Sequence, residues 1–152
     1  MSPSEAEVRA RLVVDANRYM TLATADKEGR PWATPVWFAR AGYKEFFWVS
    51  SPNSRHSRNI AARPEIGIVV FDSQVPVGGA QAVYMSARAE RLTGEELERG
   101  IDIFARRSEL DAGQAWRKED VLAPSPFRLY RAAVSTHWVL GHGDERVPVK
   151  LA

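Results

Sequence analysis

The densest group of polar side chains in the sequence lies between Ser50 and Asn59 (SSPNSRHSRN), with four serines, two asparagines, two arginines and one histidine. It follows an apolar segment typical of a strand and precedes a segment typical of a helix. A helix N-terminus offers unpaired backbone N–H groups and a favourable dipole to an anion, and an arginine fork matches phosphate oxygens. The pattern predicts a phosphate site without a Walker-type glycine loop. The alternative is a solvated loop that ends in a serine N-cap.

Other chemistry is poorly represented in the sequence. There is no cysteine, which excludes a disulfide scaffold, an iron–sulfur cluster, a thiolate zinc site and a cysteine nucleophile. His56, His137 and His142 are far apart and form neither an HxH nor an HExxH pattern, so no metal site is predicted. We expect a core or interface position for His137 and a surface turn for His142. No GxSxG elbow occurs, and no catalytic residue is assigned.

The sequence is rich in tryptophan, with five in 152 residues. Trp32, Trp37 and Trp48 fall on neighbouring predicted strands. Tryptophans most often lie in a core or a subunit interface. Stacking on a bound heterocycle beside the phosphate site is the alternative.

Length and charge predict a small soluble domain. The 152 residues suffice for one domain. Lys and Arg number 21 against 19 Asp and Glu, a net charge of +2 that does not predict nucleic-acid binding. No apolar run approaches the roughly 20 residues that cross a bilayer, and the N-terminal segment lacks the apolar core of a signal peptide. We expect a cytoplasmic protein with no membrane partner.

The order of elements predicts an α+β protein built on an antiparallel barrel, because consecutive strands dominate. A first helix has Val8, Leu12, Ala16 and Tyr19 on one face, with a capping box at either Ser2 or Ser4. A second capping box, at Thr93, opens a helix that ends near Glu109. The predicted strands are 20–25, 32–40, 46–50, 66–71, 81–92, 127–133 and 135–140, a shorter helix falls within 112–121, and a tail follows the turn at 141–144. Pro35 predicts either an edge strand or a strand diverted towards a ligand.

These features, in their order, resemble the flavin-binding split-barrel family related to pyridoxamine 5′-phosphate oxidase. The similarity covers about residues 19–92 well and 127–149 more loosely. It is carried by the following segments: Pro35–Phe38, Trp48–Ser51, Ser54-Arg55-His56 with Asn59, Arg63-Pro64-Glu65 with the strand Ile66–Phe71, and Ala82–Glu90.

The resemblance implies one domain over residues 1–152, a six-stranded antiparallel split β-barrel with flanking helices. It also implies a homodimer that binds FMN at the subunit interface. Ser50, Ser51 and Ser54 would lie at the phosphate, with Arg55 and His56 in the place of the family's Arg-Lys pair.

The same resemblance places the flavin ring along the strand that contains Pro35, with Val36 and Trp37 offering backbone groups to its polar edge. Gln81 falls one residue from the family's flavin-contacting glutamine. Trp138 would approach the ring from the C-terminal strand, from the same or the other subunit.

The sequence also departs from the family pattern. His56 stands where lysine is common, so its charge depends on pH. Phe127–Val134 (FRLYRAAV) lacks the histidine of the stretch that holds the vitamin substrate, so vitamin B6 synthesis is not expected.

The leading hypothesis is an FMN-dependent oxidoreductase that acts on a small molecule. One alternative is a reductase that uses deazaflavin F420, with Arg58, Arg63 and Arg88 available for the acidic tail of that cofactor. A second alternative is a flavin- or haem-binding protein without turnover. Nucleic-acid binding is the least favoured interpretation.

Overall fold

The computed structural model describes residues 1–152 and contains three α-helices and eight strands. The helices are α1 (Pro3–Ala16), α2 (Arg55–Ala62) and α3 (Gly94–Ala112). The strands are β1 (Tyr19–Ala25), β2 (Pro31–Trp37), β3 (Ala39–Ala41), β4 (Glu45–Ser50), β5 (Glu65–Phe71), β6 (Ala82–Arg91), β7 (Arg128–Leu140) and β8 (Arg146–Val149). Short 3-10 turns cover Lys118–Val121 and His142–Asp144. None of the helices combines the length and the apolar character needed to cross a membrane.

All strands belong to one curled antiparallel sheet with the order β2-β1-β5-β6-β7-β4-β3, and β8 pairs with β7. The predicted α+β class is confirmed, whereas the predicted number of six strands is wrong. The segment 32–40 is split at Phe38, whose N–H donates to the carbonyl of Arg18 instead of a strand neighbour. The two strands predicted over 127–140 form the single strand β7, and the predicted tail contributes β8.

Helix α1 begins with the capping box at Ser2 and not with the alternative at Ser4. The Ser2 Oγ accepts the Glu5 N–H at 3.2 Å, and the Glu5 carboxylate accepts the Ser2 N–H at 2.8 Å. The predicted buried face is wrong, because Val8 and Leu12 are exposed. The buried residues are Ala6, Ala10, Val13 and Val14. The alanines let the helix backbone approach the sheet closely, so the helix closes the concave side of the curl.

Two apolar clusters hold the fold together. The larger cluster fills the concave side of the sheet around Met20, Leu22, Phe46 and Trp48. The smaller cluster packs α3 against the convex side, and its largest members are Phe47, Leu97, Ile101, Phe104 and Leu129. Burial of such side chains contributes about 1.5–3 kcal/mol each.

Helix α3 begins where the sequence predicts, with Thr93 at the N-cap position. The Thr93 side chain makes no capping hydrogen bond, so the predicted capping box is not formed. The helix continues to Ala112 and ends on Gly113, which adopts the left-handed conformation at φ 69°. The helix predicted within 112–121 is therefore wrong except for the 3-10 turn. On the surface, Arg131 of β7 pairs with Glu90 at 2.5 Å and with Glu96, which ties α3 to the sheet.

Candidate functional site

The N-terminus of α2 brings together three of the predicted phosphate ligands. Ser50 at the end of β4 is buried, and its Oγ lies 2.8 Å from the Nε2 of His56. The Oγ of Ser54 lies 3.4 Å from the same nitrogen. Ser54 is the N-cap, with its Oγ accepting the N–H of Ser57 at 3.3 Å. The serine N-cap that the sequence suggests is therefore present, together with two hydroxyls and an imidazole.

His56 is half-buried, and this burial lowers the pKa of its imidazole below the ordinary value. Burial removes water that would stabilise the charged form. At neutral pH the ring is therefore uncharged and can both donate and accept a hydrogen bond. A phosphate placed beside it would favour the protonated ring, because an opposite charge raises the pKa of histidine.

The permanent positive charge at this helix end comes from Arg55. Its guanidinium carbon lies 4.5 Å from the ring centre of Trp32 on β2, in a cation–π contact. The side chain is exposed and forms no ion pair. No acidic residue occurs in the first turn of α2 or between Ser50 and Asn59. The surroundings of the helix end therefore favour an anion.

Ser51 lies in the loop before α2 and supports it through its backbone. Its carbonyl accepts the Ser54 hydroxyl at 2.8 Å, and its own Oγ accepts the N–H of Asn53 at 3.1 Å. Ser51 is half-buried, so its hydroxyl can still meet a ligand.

A buried polar contact fixes α2 against the sheet. The amide of Asn59 donates to the Oγ of Thr24 on β1 at 3.0 Å, and both side chains are buried. Thr24 in turn donates to the carbonyl of Trp32 at 3.4 Å. Sequence reasoning missed Thr24 and this use of Trp32. A polar residue at a buried position of an alternating strand is the signal that could have found Thr24.

Strand β2 forms one edge of the sheet, because β1 is its only partner. Its other side therefore carries backbone groups without strand partners. Pro35 is exposed on this edge, which confirms the edge-strand alternative, and Val36 is buried. The indole of Trp37 packs edge-on against Phe104, with 5.0 Å between the ring centres. Its Nε1–H donates to the Asp111 carboxylate, with 3.1 Å between the nitrogen and Oδ2.

The remaining predicted site residues lie elsewhere in the chain. Gln81 precedes β6 and faces α1, in a shallow cleft with Val8 and Leu12. Trp138 lies on the convex face of β7, opposite Tyr84 and Pro148. Within one chain neither residue makes a hydrogen bond to the Ser50–His56 group.

A row of side chains crosses the convex face of the sheet near Trp138. Strand register aligns Pro35, Thr21, Val69, Tyr84, Trp138 and Pro148 across six strands. A second row contains the small residues Ala33, Ala23, Gly67, Ser86 and Thr136. The convex face therefore combines half-buried aromatic and aliphatic groups with a flat strip.

Solved structures share this fold at low sequence identity. HutZ of Vibrio cholerae, described as a heme storage protein, is 19% identical with a TM-score of 0.69, over 86% of this chain and 90% of that one. A heme-binding protein of Mycobacterium smegmatis is 23% identical with a TM-score of 0.72, over 99% of this chain but only 59% of that one.

A protein of Clostridium acetobutylicum, described as related to general stress protein 26 and assigned to the pyridoxinephosphate oxidase family, shares the fold as well. It is 11% identical with a TM-score of 0.69, over 99% of this chain and 96% of that one. No curated protein matches the chain.

The sequence itself matches a family model. The model is described as pyridoxamine 5′-phosphate oxidase, and the match extends over residues 5–138. It includes the whole of β1 to α3 and most of β7. Because the matched segment is most of the chain and its fold is shared with the structures above, the protein belongs to the pyridoxamine 5′-phosphate oxidase family.

Proposed function

We propose that the protein binds FMN and acts as a flavin-dependent oxidoreductase on a small molecule. One observation carries the proposal. An acid-free group of donors at the N-terminus of α2 lies beside the unpartnered edge of β2, and Arg55 on Trp32 links the two.

The donors at α2 fit a phosphate monoester. Ser50, Ser51 and Ser54 supply hydroxyls, His56 a neutral or charged imidazole, and Arg55 a guanidinium that no carboxylate occupies. Charge-assisted hydrogen bonds of arginine to phosphate are about twice as strong as neutral ones. These five residues would hold the phosphate of FMN.

The edge of β2 fits the polar rim of a flavin ring. Backbone N–H and C=O groups near Val36 and Trp37 have no strand partner on that side, and Pro35 contributes only a carbonyl. The ring of Trp37 is held by Phe104 and Asp111, so this backbone is fixed before a ligand arrives.

The proposal includes a homodimer formed through the convex face of the sheet. Within one chain, Gln81 and Trp138 make no hydrogen bond to the residues Ser50–His56 that we assign to the phosphate. The row of convex-face side chains that includes Val69 and Tyr84 is only half-buried. A second copy on this face would cover that row. It would also bring Trp138 of one protomer towards the cofactor of the other, whereas Gln81 lies beside α1, away from this face.

Bound FMN supplies hydride and electron transfer, and the protein positions the ring and tunes its surroundings. The residues of the chain anchor the phosphate, give hydrogen bonds to the ring edge and limit access of water. A small substrate would bind over the exposed ring face, and no side chain is assigned as an acid or base.

Replacement of Arg55 by alanine tests the phosphate assignment. Loss of a charged hydrogen bond of about 1.5–3 kcal/mol predicts roughly 10–100-fold weaker FMN binding. Quenching of flavin fluorescence during titration gives the dissociation constant. Arg30→Ala is the matched control, since Arg30 is paired with Asp26 in the β1–β2 turn. Equal FMN affinities for the wild type and Arg55→Ala would contradict the assignment.

Turnover is tested separately from binding. The FMN-loaded protein should transfer electrons from a reduced nicotinamide to an artificial acceptor faster than free FMN does. If it binds FMN but gives no rate above free FMN, the protein is a flavin carrier and the enzymatic part of the proposal is wrong. A preference for added F420 over FMN would favour the deazaflavin alternative.

Haem binding is the second candidate, and the similarity to HutZ and to the Mycobacterium smegmatis protein favours it. A haem iron needs an axial ligand from the protein. His137 is buried and hydrogen-bonded to the Tyr43 carbonyl, and His56 is half-buried with its Nε2 2.8 Å from the Ser50 Oγ, whereas His142 is exposed on a turn. His142 is therefore the ligand that we propose for this case. Added hemin should give a Soret band that His142→Ala shifts, and no band would exclude this candidate.

A further inference from the structure

We infer a second ligand site, for a small organic anion, in the cavity between α2 and β6. The cavity has a volume of about 420 Å³, within the range of small-molecule sites. Its lining includes Arg58 and Ala61 of α2, Arg88 and Arg91 of β6, and Tyr130 of β7.

The cavity lies on a different side of α2 from the proposed phosphate site. Arg55 and Asn59 face β2 and β1, where they contact Trp32 and Thr24. Arg58 and Ala61 project from the other side of the helix, towards β6. A ligand in the cavity would therefore bind on another side of α2 from the proposed phosphate site. Ser57 lies between the two sites, since it lines the cavity and its Oγ accepts the Ser54 hydroxyl at 2.8 Å.

The charges around the cavity favour an anion. Arg58 and Arg91 form no ion pair and no side-chain hydrogen bond within the chain. Arg88 pairs with Glu65 at 3.0 Å, but both side chains are largely exposed. The one acidic lining residue, Glu90, is neutralised by Arg131 at 2.5 Å. Two guanidiniums are left free to bind oxyanion oxygens.

A tyrosine hydroxyl that is accessible from the cavity provides a second observation. The Tyr130 side chain is only 3% exposed and lines the cavity, and its hydroxyl makes no hydrogen bond within the chain. A phenol hydroxyl can both donate and accept a hydrogen bond. Its ring stacks on Trp48 at 5.8 Å, which fixes the phenol in place. A ligand oxygen in the cavity would satisfy this hydroxyl.

The apolar walls define the other end of the ligand. Pro52, Ile60, Ala61 and Pro64 line the cavity between α2 and the sheet. The space exceeds that of an inorganic ion. We therefore assign the site to a molecule with one oxyanion end, either a carboxylate or a phosphate monoester, and one apolar end.

Titration of the ¹⁵N-labelled protein with phenyl phosphate and, separately, benzoate tests the site by NMR. We expect saturable shifts at Ala61, Ala89 and Tyr130, and the tighter of the two probes identifies the oxyanion. Phenol, the neutral analogue, should bind more weakly than either.

Substitutions test which side chains of the cavity contribute to binding of the probes. The double variant Arg58→Ala/Arg91→Ala should bind the probes at least about tenfold more weakly. Tyr130→Phe should also weaken binding without lowering thermal stability, because the hydroxyl has no partner in the protein. Arg63→Ala is the control, since Arg63 bonds the Lys27 carbonyl outside the cavity. Shifts confined to Arg55 and His56, or unchanged affinity in the double variant, would overturn the site.

Discussion

Two histidines make the stability of the protein depend on pH. Burial lowers the pKa of both His56 and His137, so the native protein binds fewer protons there than the unfolded chain does. Above the unfolded pKa of about 6.5 both states are neutral at these residues. As the pH falls below that value, only the unfolded chain takes up protons, and stability is lost.

The pH effect can be measured on His137, which is 4% exposed and lies 2.5 Å from the Tyr43 carbonyl. We expect the free energy of unfolding to decrease between about pH 7.5 and about pH 5.5, and His137→Gln to flatten this dependence. Urea denaturation at several pH values gives the slope. His142→Gln, at an exposed position, should leave the slope unchanged. Equal slopes for wild type and His137→Gln would contradict the explanation.

Carboxylates affect the stability of the protein in a different pH range. Hydrogen bonds from Arg99 hold the pKa of Glu45 below its usual value. This stabilisation is present above the unfolded pKa and is lost as the pH falls below about 4.3. The pH range in which the histidines change stability therefore lies above the range in which the paired carboxylates do.

At the level of elements, local signals were predictable and non-local ones were not. The capping box at Ser2 could be predicted, as one of two alternatives, because Ser2 and Glu5 are only three residues apart. A serine N-cap before α2 could be predicted for the same reason, and the structure identifies it as Ser54. The buried face of α1 could not be predicted, because Ala6 and Ala10 are buried only by contact with sheet strands that come much later in the sequence. Strand β8 was missed because Pro148 lowers strand propensity, although its position at the margin of the sheet tolerates proline.

The packing of α3 rests on a glycine in its middle. A Cβ on Gly100 would lie 2.8 Å from Leu92 and 3.2 Å from Phe47. Gly100→Ala should therefore destabilise the protein by about 1–3 kcal/mol, although alanine favours helices. Thermal unfolding gives the difference, and Asp102→Ala, at an exposed site of the same helix, is the control for propensity. An increase in stability for Gly100→Ala would show that α3 does not pack this closely against Leu92 and Phe47.

The candidate site was partly predictable for a similar reason. Ser50 to His56 are contiguous in sequence, so their spacing was visible before the fold. Thr24, Trp32 and the cavity residues of β6 meet α2 only through the sheet register, and no local pattern marks them.

At the scale of the whole molecule, the proposed dimer predicts the effect of a charge on the convex face. Val69 lies at the centre of the row between Thr21 and Tyr84. Val69→Asp should convert the dimer to a monomer, because a carboxylate would be buried without a partner. Light scattering during gel filtration measures the mass. Val75→Asp, on the exposed loop before β6, should remain dimeric. A monomeric wild type, or a dimeric Val69→Asp, would rule out this interface.

The unpartnered edge of β2 also bears on aggregation. Free edges recruit strands from other molecules, and proline interrupts such pairing. Here the exposed edges are short or contain proline: β3 has three residues, β8 has Pro148, and β2 has Pro35. Pro35→Val should accelerate fibril or aggregate formation in thioflavin and turbidity assays, whereas Ala33→Val should not. On this account, the proline at the edge that we propose for the flavin ring would also keep the sheet from growing into a polymer.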